Sequence, residues 1–210
     1  LKCSIGEVSN RIKASELQDK GVLANCHVNV LQTQDHPQFK TYGEELKWLT
    51  TDPTRMTWVA KTIQDIATSG NTLILVDRIS AGEILEKKIK DAVFVSGATK
   101  NTDRKEQYDE ISTATNKVII ATYGVAAVGI NIPRIFNLVL VEPGKSFVRV
   151  IQSIGRGIRK AEDKDSVQIW DITSSCKFAK RHLGARKKFY KEANYPYNIE
   201  KINYENPYTG

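Results

Sequence analysis

Sulfur is scarce in this chain. Its 210 residues include three cysteines and one methionine, Met56. Cys3, Cys26 and Cys176 are odd in number and widely spaced, and no Cys-x-x-Cys pair occurs. That pattern argues against a disulfide scaffold and against a zinc site, and it suits a reducing cytoplasm. Long apolar runs are missing too. None approaches the roughly 18–20 residues of a membrane-spanning helix, and the N-terminus lacks the basic stretch and apolar core of a signal peptide. No membrane partner is expected. The chain opens on Leu1 rather than methionine, as a fragment, a processed chain or a trimmed one would. An acidic surplus is also lacking: 31 Lys+Arg against 24 Asp+Glu give a formal net charge of +7. This charge suits a polyanion partner and equally a mildly basic soluble protein. With 40% hydrophobic and 26% charged residues, the composition is globular, not disordered. The length fits one to two domains.

Repeats and low-complexity tracts are absent, so the pattern is read element by element. Residues 15–20 are polar and helix-like, and 26–31 are strand-like. Residues 35–53 read as a linker between the turn signals Asp35-His-Pro37 and Thr51-Asp-Pro-Thr54, with a short helix over 42–49. Beyond it, Trp58, Ile63, Ile66 and Ala67 follow helical spacing, with Thr54 as the expected N-cap. Residues 71–77 form a continuous apolar run of strand length, which suits a strand covered on both faces. The alternation continues with a helix over 81–90, a strand over 92–96, a helix over 103–112 and a strand over 117–122. A loop or short helix over 124–129, a strand over 136–142, a helix over 146–159 and a strand over 166–171 complete it. Such alternation predicts right-handed βαβ units, hence an α/β three-layer sandwich with a mainly parallel central sheet. Ligands of such sheets bind beyond the carboxyl ends of the strands.

Three segments follow strand ends. In Ile151-Gln-Ser-Ile-Gly-Arg-Gly-Ile-Arg159, Gln152 and Arg156 are four apart and Arg156 and Arg159 three apart. All three share one helix face, a multi-donor surface suited to phosphate oxygens. Gly155 and Gly157 cost the helix roughly 1 kcal/mol each relative to Ala, which is consistent with close backbone approach. A solvated basic face with glycines at a helix end is the plain alternative. Residues 120–133 are rich in small side chains. Thr122 and the backbone there suit a phosphodiester, or only a tight strand-to-helix turn. In residues 95–104 a strand ends in Ser96 and Gly97, and Arg104 follows; a capped helix without ligand fits equally.

Taken in order, these segments resemble the C-terminal RecA-like domain of superfamily-two helicases and translocases. Asn71-Thr-Leu-Ile-Leu-Val-Asp77 resembles motif IV, and Val95-Ser-Gly97 with Arg104 the next nucleic-acid-contacting segment. Ala121-Thr122 through Gly129-Ile-Asn-Ile-Pro133 resembles motif V, and Gln152-Ser-Ile-Gly-Arg156-Gly-Ile-Arg159 motif VI. The resemblance covers residues 70–160, and within the family it is to phage DNA helicases with a linker, this domain and a basic tail. It implies that 1–34 are the end of a first RecA-like domain, 35–53 the interdomain linker, 54–175 the second RecA-like domain and 176–210 a basic tail. The sequence contains no GxxxxGK[ST] loop and no DExH-type box. The resemblance therefore implies an N-terminal RecA-like partner domain that holds most of the ATP and its Mg²⁺, and a chain inactive on its own.

The same resemblance implies roles. Arg159 is the expected arginine finger and Arg156 a second phosphate or interdomain contact. Gln152, Gly129 and Asn131 would lie by the nucleotide, Asn131 standing where many relatives carry Asp. Ser96, Gly97, Arg104 and Thr122 would hold the nucleic-acid backbone. The substrate implied is single-stranded or branched DNA, with RNA compatible, and the setting recombination, repair or fork remodelling. A non-catalytic nucleic-acid-binding module is the reading from another class; an RNA helicase or restriction-type translocase subunit shares the motifs. Finally, residues 176–191 hold seven Lys and Arg and no acid, interleaved with Phe178, Phe189 and Tyr190. They read either as a basic helix gripping DNA or as a helix packed on the sheet with solvated lysines. His182 reads as a packing residue.

Overall fold

The computed structural model describes residues 26–95, 116–127, 135–144, 151 and 167–204. Seven strands form one sheet: β1 (Cys26–Thr33), β2 (Thr72–Val76), β3 (Ala92–Val95), β4 (Val118–Thr122), β5 (Asn137–Val141), β6 (Val167–Ser174) and β7 (Tyr197–Ile202). Their order is β3-β4-β2-β5-β6-β1-β7, and every pairing is parallel. The helices are α1 (Tyr42–Thr51), α2 (Pro53–Ala67), α3 (Ile79–Lys88), α4 (Tyr123–Ala127) and α5 (Lys177–Glu192).

The strands at the centre explain the three layers. β2 and β5 are buried at every position, so side chains of both parities need cover. Leu73, Leu75, Leu138 and Leu140 pack on one face with Tyr123 of α4, Leu183 and Tyr190 of α5, and Ile151. Ile74, Val76, Val139 and Val141 pack on the other with Met56, Val59 and Ile63 of α2 and Leu85 of α3. The continuous apolar runs of the sequence are what a parallel sheet covered on both faces requires. Close approach is visible at Gly82 of α3, where a Cβ would lie 2.5 Å from the Phe94 ring of β3.

Residues 26–33 form a strand of this sheet. β1 pairs with β6 over eight positions, from Cys26↔Val167 to Thr33↔Ser174, and with β7 on its other side. Residues 35–53 carry α1, near the short helix expected over 42–49, and its Leu46 and Leu49 are buried. The N-cap of α2 is Asp52, not Thr54. Pro53 takes the first helical position, and the Asp52 carboxylate accepts from the Arg55 amide at 3.0 Å. Residues 176–204 complete one layer and one edge of the sheet. They form α5, packed on the sheet, and the strand β7, which the sequence pattern had not signalled because most of its positions are exposed. α5 ends in a Schellman arrangement: Asn194 has φ 58°, the Tyr195 amide donates to the Tyr190 carbonyl (2.8 Å), and the Asn194 amide to that of Lys191 (3.2 Å). The stretch after β4 proves to be the short helix α4. The helix expected over 103–112 lies outside the described residues, as does that over 146–159 apart from Ile151, which is buried in the core.

Candidate functional site at the carboxyl edge of the sheet

Because all the strands run the same way, their carboxyl ends share one edge. β4, β2 and β5 are adjacent there, so the segments that leave β4 and β5 start about 10 Å apart, two strand spacings. Thr122 ends β4, half-buried, and its Oγ1 accepts from the Val125 amide at 3.2 Å. It therefore caps α4 through a lone pair, and no acceptor for its hydroxyl proton occurs among the described residues. Such a hydroxyl can donate to an outside oxygen. Ser96, Gly97, Arg104, Gly129, Asn131, Gln152, Arg156 and Arg159 lie outside the described residues. Their points of departure are nonetheless defined. Val95 ends β3 directly before Ser96, Ala127 ends α4 two residues before Gly129, and buried Ile151 precedes Gln152.

The strand end at Val141 is clamped from several sides. Tyr123 Oη donates to the Val141 carbonyl at 3.2 Å. Glu142 follows with φ 47°, a left-handed conformation costly for a residue with a Cβ. Its carboxylate is held by Arg55 Nη2. Arg186 Nη1 donates to the Pro143 carbonyl at 2.6 Å. At Gly144 a Cβ would stand 2.8 Å from Tyr42 Oη, so only glycine passes there without displacing the ring. Beyond Gly144 the chain runs on to Gln152.

Two buried arginines organise this clamp. Arg55, with no exposed surface, also donates to the carbonyls of Leu49 (2.6 Å) and Thr173 (3.2 Å) and to Thr33 Oγ1 (3.2 Å), and lies 3.6 Å from Asp35. Asp35 accepts in turn from Thr33 (2.6 Å), Ser174 and Tyr204 (2.6 Å). Arg186 meets Asp171 through two bonds of 2.7 and 2.9 Å, and Tyr190 Oη donates to the same carboxylate at 2.7 Å. Burial pushes Glu142 up to about 7 despite the guanidinium of Arg55 beside it. Burial, and then the charge of Asp77, raises Tyr42 to about 12. Burial likewise raises Tyr123 and Tyr190 well above their ordinary value, so all three phenols keep their protons and can donate.

These carboxylates are committed to arginines, and among the described residues no group of His, Cys, Asp and Glu could hold a metal ion. The described part of the edge is thus a rigid platform for the segments that leave it. Sequence reasoning missed Arg55, Glu142 and Asp171, and it counted Arg186 with the basic run of residues 176–191, whereas Arg186 is 3% exposed. A signal existed. Arg55 lies on the helical stripe Arg55-Val59-Ile63, and Arg186 on Ala179-Leu183-Arg186-Tyr190, both otherwise apolar or aromatic and buried. A cation inside such a stripe needs a buried acid. His182 packs edge-on against Tyr42, ring centroids 4.8 Å apart, as a packing residue does.

Comparison with known proteins places this architecture. The chain is 27% identical over 220 residues to the ATP-dependent DNA helicase uvsW of Enterobacteria phage T4, covering 95% of this chain and 44% of that protein. The crystal structure of T4 UvsW superposes with a TM-score of 0.72 at 22% identity, over 85% of this chain and 42% of that one. The C-terminal domain of the DEAD-box protein Dbp5 gives a TM-score of 0.55 at 18% identity, covering 87% of this chain and 92% of that domain. The chain thus spans less than half the length of the T4 helicase, and its fold is that of a RecA-like helicase C-terminal domain. The pattern of the helicase conserved C-terminal domain matches residues 55–161, half of the sequence, and the chain belongs to that family.

Proposed function

We propose that this chain is the C-terminal half of an ATP-dependent DNA helicase or translocase that works in recombination, repair or fork remodelling. The observation that carries the reading is the family match over residues 55–161. DNA is preferred because the T4 relative is named a DNA helicase.

In this reading Arg159 is the arginine finger and Arg156 a second phosphate or interdomain contact. Gln152, Gly129 and Asn131 line the nucleotide, while Ser96, Gly97, Arg104 and Thr122 grip the phosphodiester backbone. ATP supplies the driving free energy, and its Mg²⁺ is held chiefly by a first RecA-like domain with a phosphate loop and an acidic box. A fixed guanidinium stabilises charge developing on the γ-phosphoryl oxygens, an effect worth on the order of 10³–10⁵ in rate. The clamp at residues 141–144 fixes the end of β5, the strand that precedes the arginine-bearing segment in sequence. The test is ATP turnover by the protein that joins this chain to its first RecA-like domain. Arg159→Ala is expected to cut turnover by at least about a thousandfold, with DNA binding retained; turnover within a few-fold of the parent would overturn the assignment.

A further inference from the structure

The basic run that opened as two equal readings is divided by the structure. Arg186 faces inward and is spent on Asp171. Lys177, Lys180, Arg181, Lys188 and Lys191 are exposed on the opposite side of α5, spread over about 21 Å of helix axis. They fall in two groups, Lys177, Lys180 and Arg181 at the start of the helix and Lys188 and Lys191 near its end, about two turns apart. None forms an ion pair among the described residues, and the only acid of α5 is Glu192 at its last position. Phe178 lies between two of the cations, with Lys177 Nζ 5.4 Å and the Arg181 guanidinium 5.5 Å from its ring centroid.

At the N-terminal end of this stripe the surface opens into a cleft of about 710 Å³ between residues 35–40 and 175–180. Lys40, Lys177, Lys180 and His36 line it. Its one carboxylate, Asp35, has no exposed side-chain surface and is neutralised by Arg55. The amides of Phe178 and Ala179, at the start of α5, are already taken by the buried carboxylate of Glu45, at 2.9 and 2.8 Å. Anion binding here therefore falls to the side-chain cations and not to the helix end.

The shape and charge choose the partner. A row of unpaired cations about 21 Å long matches an extended polyanion, which offers phosphate charges along its whole length. A membrane surface would need apolar side chains beside the cations. The exposed large hydrophobics among the described residues are Ile79 and Ile199, neither of them on α5. The cleft opens beyond β6 and β1, and β6 is three strands from β4, so it lies about 15 Å or more from Thr122 along the same edge.

We infer that the cleft and the outer face of α5 form a second nucleic-acid backbone site, distinct from the strand-holding loops, gripping phosphates through Lys40, Lys177, Lys180, Arg181, Lys188 and Lys191 without reading sequence. The inference rests on the nucleic-acid reading of the fold but names a different surface. The test is fluorescence anisotropy of a labelled duplex and a labelled single strand titrated with the whole chain over a salt series. Lys177→Gln/Lys180→Gln/Arg181→Gln is expected to weaken binding at least about tenfold and to make the log Kd against log salt slope shallower by about 2–3. Lys188→Gln/Lys191→Gln should make it shallower by about 1–2. All five positions are exposed, and an unchanged thermal midpoint confirms the fold. Lys61→Gln/Lys87→Gln/Lys90→Gln, exposed positions on or beside α2 and α3 across the sheet, removes the same charge and should leave the slope unchanged. Binding by the parent that the α5 variants do not alter overturns this site and leaves the broader reading standing. An equal loss in the control triple overturns it in favour of diffuse charge. No binding by the parent chain overturns both.

Discussion

Glu142 concentrates three costs in one residue: a left-handed backbone, a buried carboxyl group and a position at the end of a central strand. Such strain persists where surrounding contacts over-determine it, and here Arg55, Arg186, Tyr42 and Tyr123 do so. Its titration follows from burial. The carboxyl is raised from its ordinary 4.5 to about 7, so between those values the folded state binds a proton that the unfolded state has released. Stability from this group is then fully present below about pH 4.5 and is lost as pH rises through 7. Glu142→Gln removes that dependence. Urea unfolding of both proteins across this window should show the parent losing stability relative to the variant as pH rises; a constant difference would mean that the carboxyl titrates normally. None of this was legible locally. Val-Glu-Pro-Gly reads as an ordinary turn after a strand, and the partner Arg55 lies 87 residues away. What could be read was the apolar stripe of α2, into which Arg55 falls as an exception.

Elements were legible where hydrophobic pattern alone decides them. β2 and β5 announce themselves as unbroken apolar runs because both faces are covered. α2 and α5 show helical stripes because one face is. Caps and ends were less legible, since they depend on partners brought in by the fold. α5 illustrates this: its N-cap Cys176 makes no side-chain cap bond, and the service is performed from α1 by Glu45. That residue, 1% exposed, accepts from two amides of the first turn of α5 and places a negative charge at the positive end of its dipole. Sequence reading treats a glutamate in a presumed linker as solvated, so this tie was invisible. Glu45→Ala should cost about 1–2 kcal/mol, the range for loss of a helix cap. Chemical denaturation measures it, and Glu45→Gln should recover part, because an amide oxygen still accepts but carries no charge. Destabilisation below a few tenths would show that water replaces the carboxylate without loss.

At the scale of the molecule, the sheet order reveals what composition and motifs could not. The segments that resemble helicase motifs lie on or follow β3, β4, β2 and β5, whereas β6, β1 and β7 extend the sheet on the other side. β1 comes first among the described elements yet sits between the last two strands. Its pattern, Cys-His-Val-Asn-Val-Leu-Gln-Thr, is good strand sequence in any sheet, and no local rule says which neighbours it joins. Its contribution is large: Cys26, Val28 and Val30 are buried on one face and Leu31 on the other. Thr33 holds Arg55 and Asp35 at its end. Deleting residues 1–34 would strip β6 of one partner and β7 of its only one among the described strands. It would also open both apolar layers and leave Arg55 without part of its cage. Each buried aliphatic lost removes about 1.5–3 kcal/mol, against a total of about 5–15 kcal/mol for a domain. Such a chain should therefore lose cooperative thermal unfolding and bind a hydrophobic dye, as a partly folded state does. If it unfolds in one sharp transition near the midpoint of the whole chain, β1 is dispensable, and residues 1–34 do belong to a preceding domain.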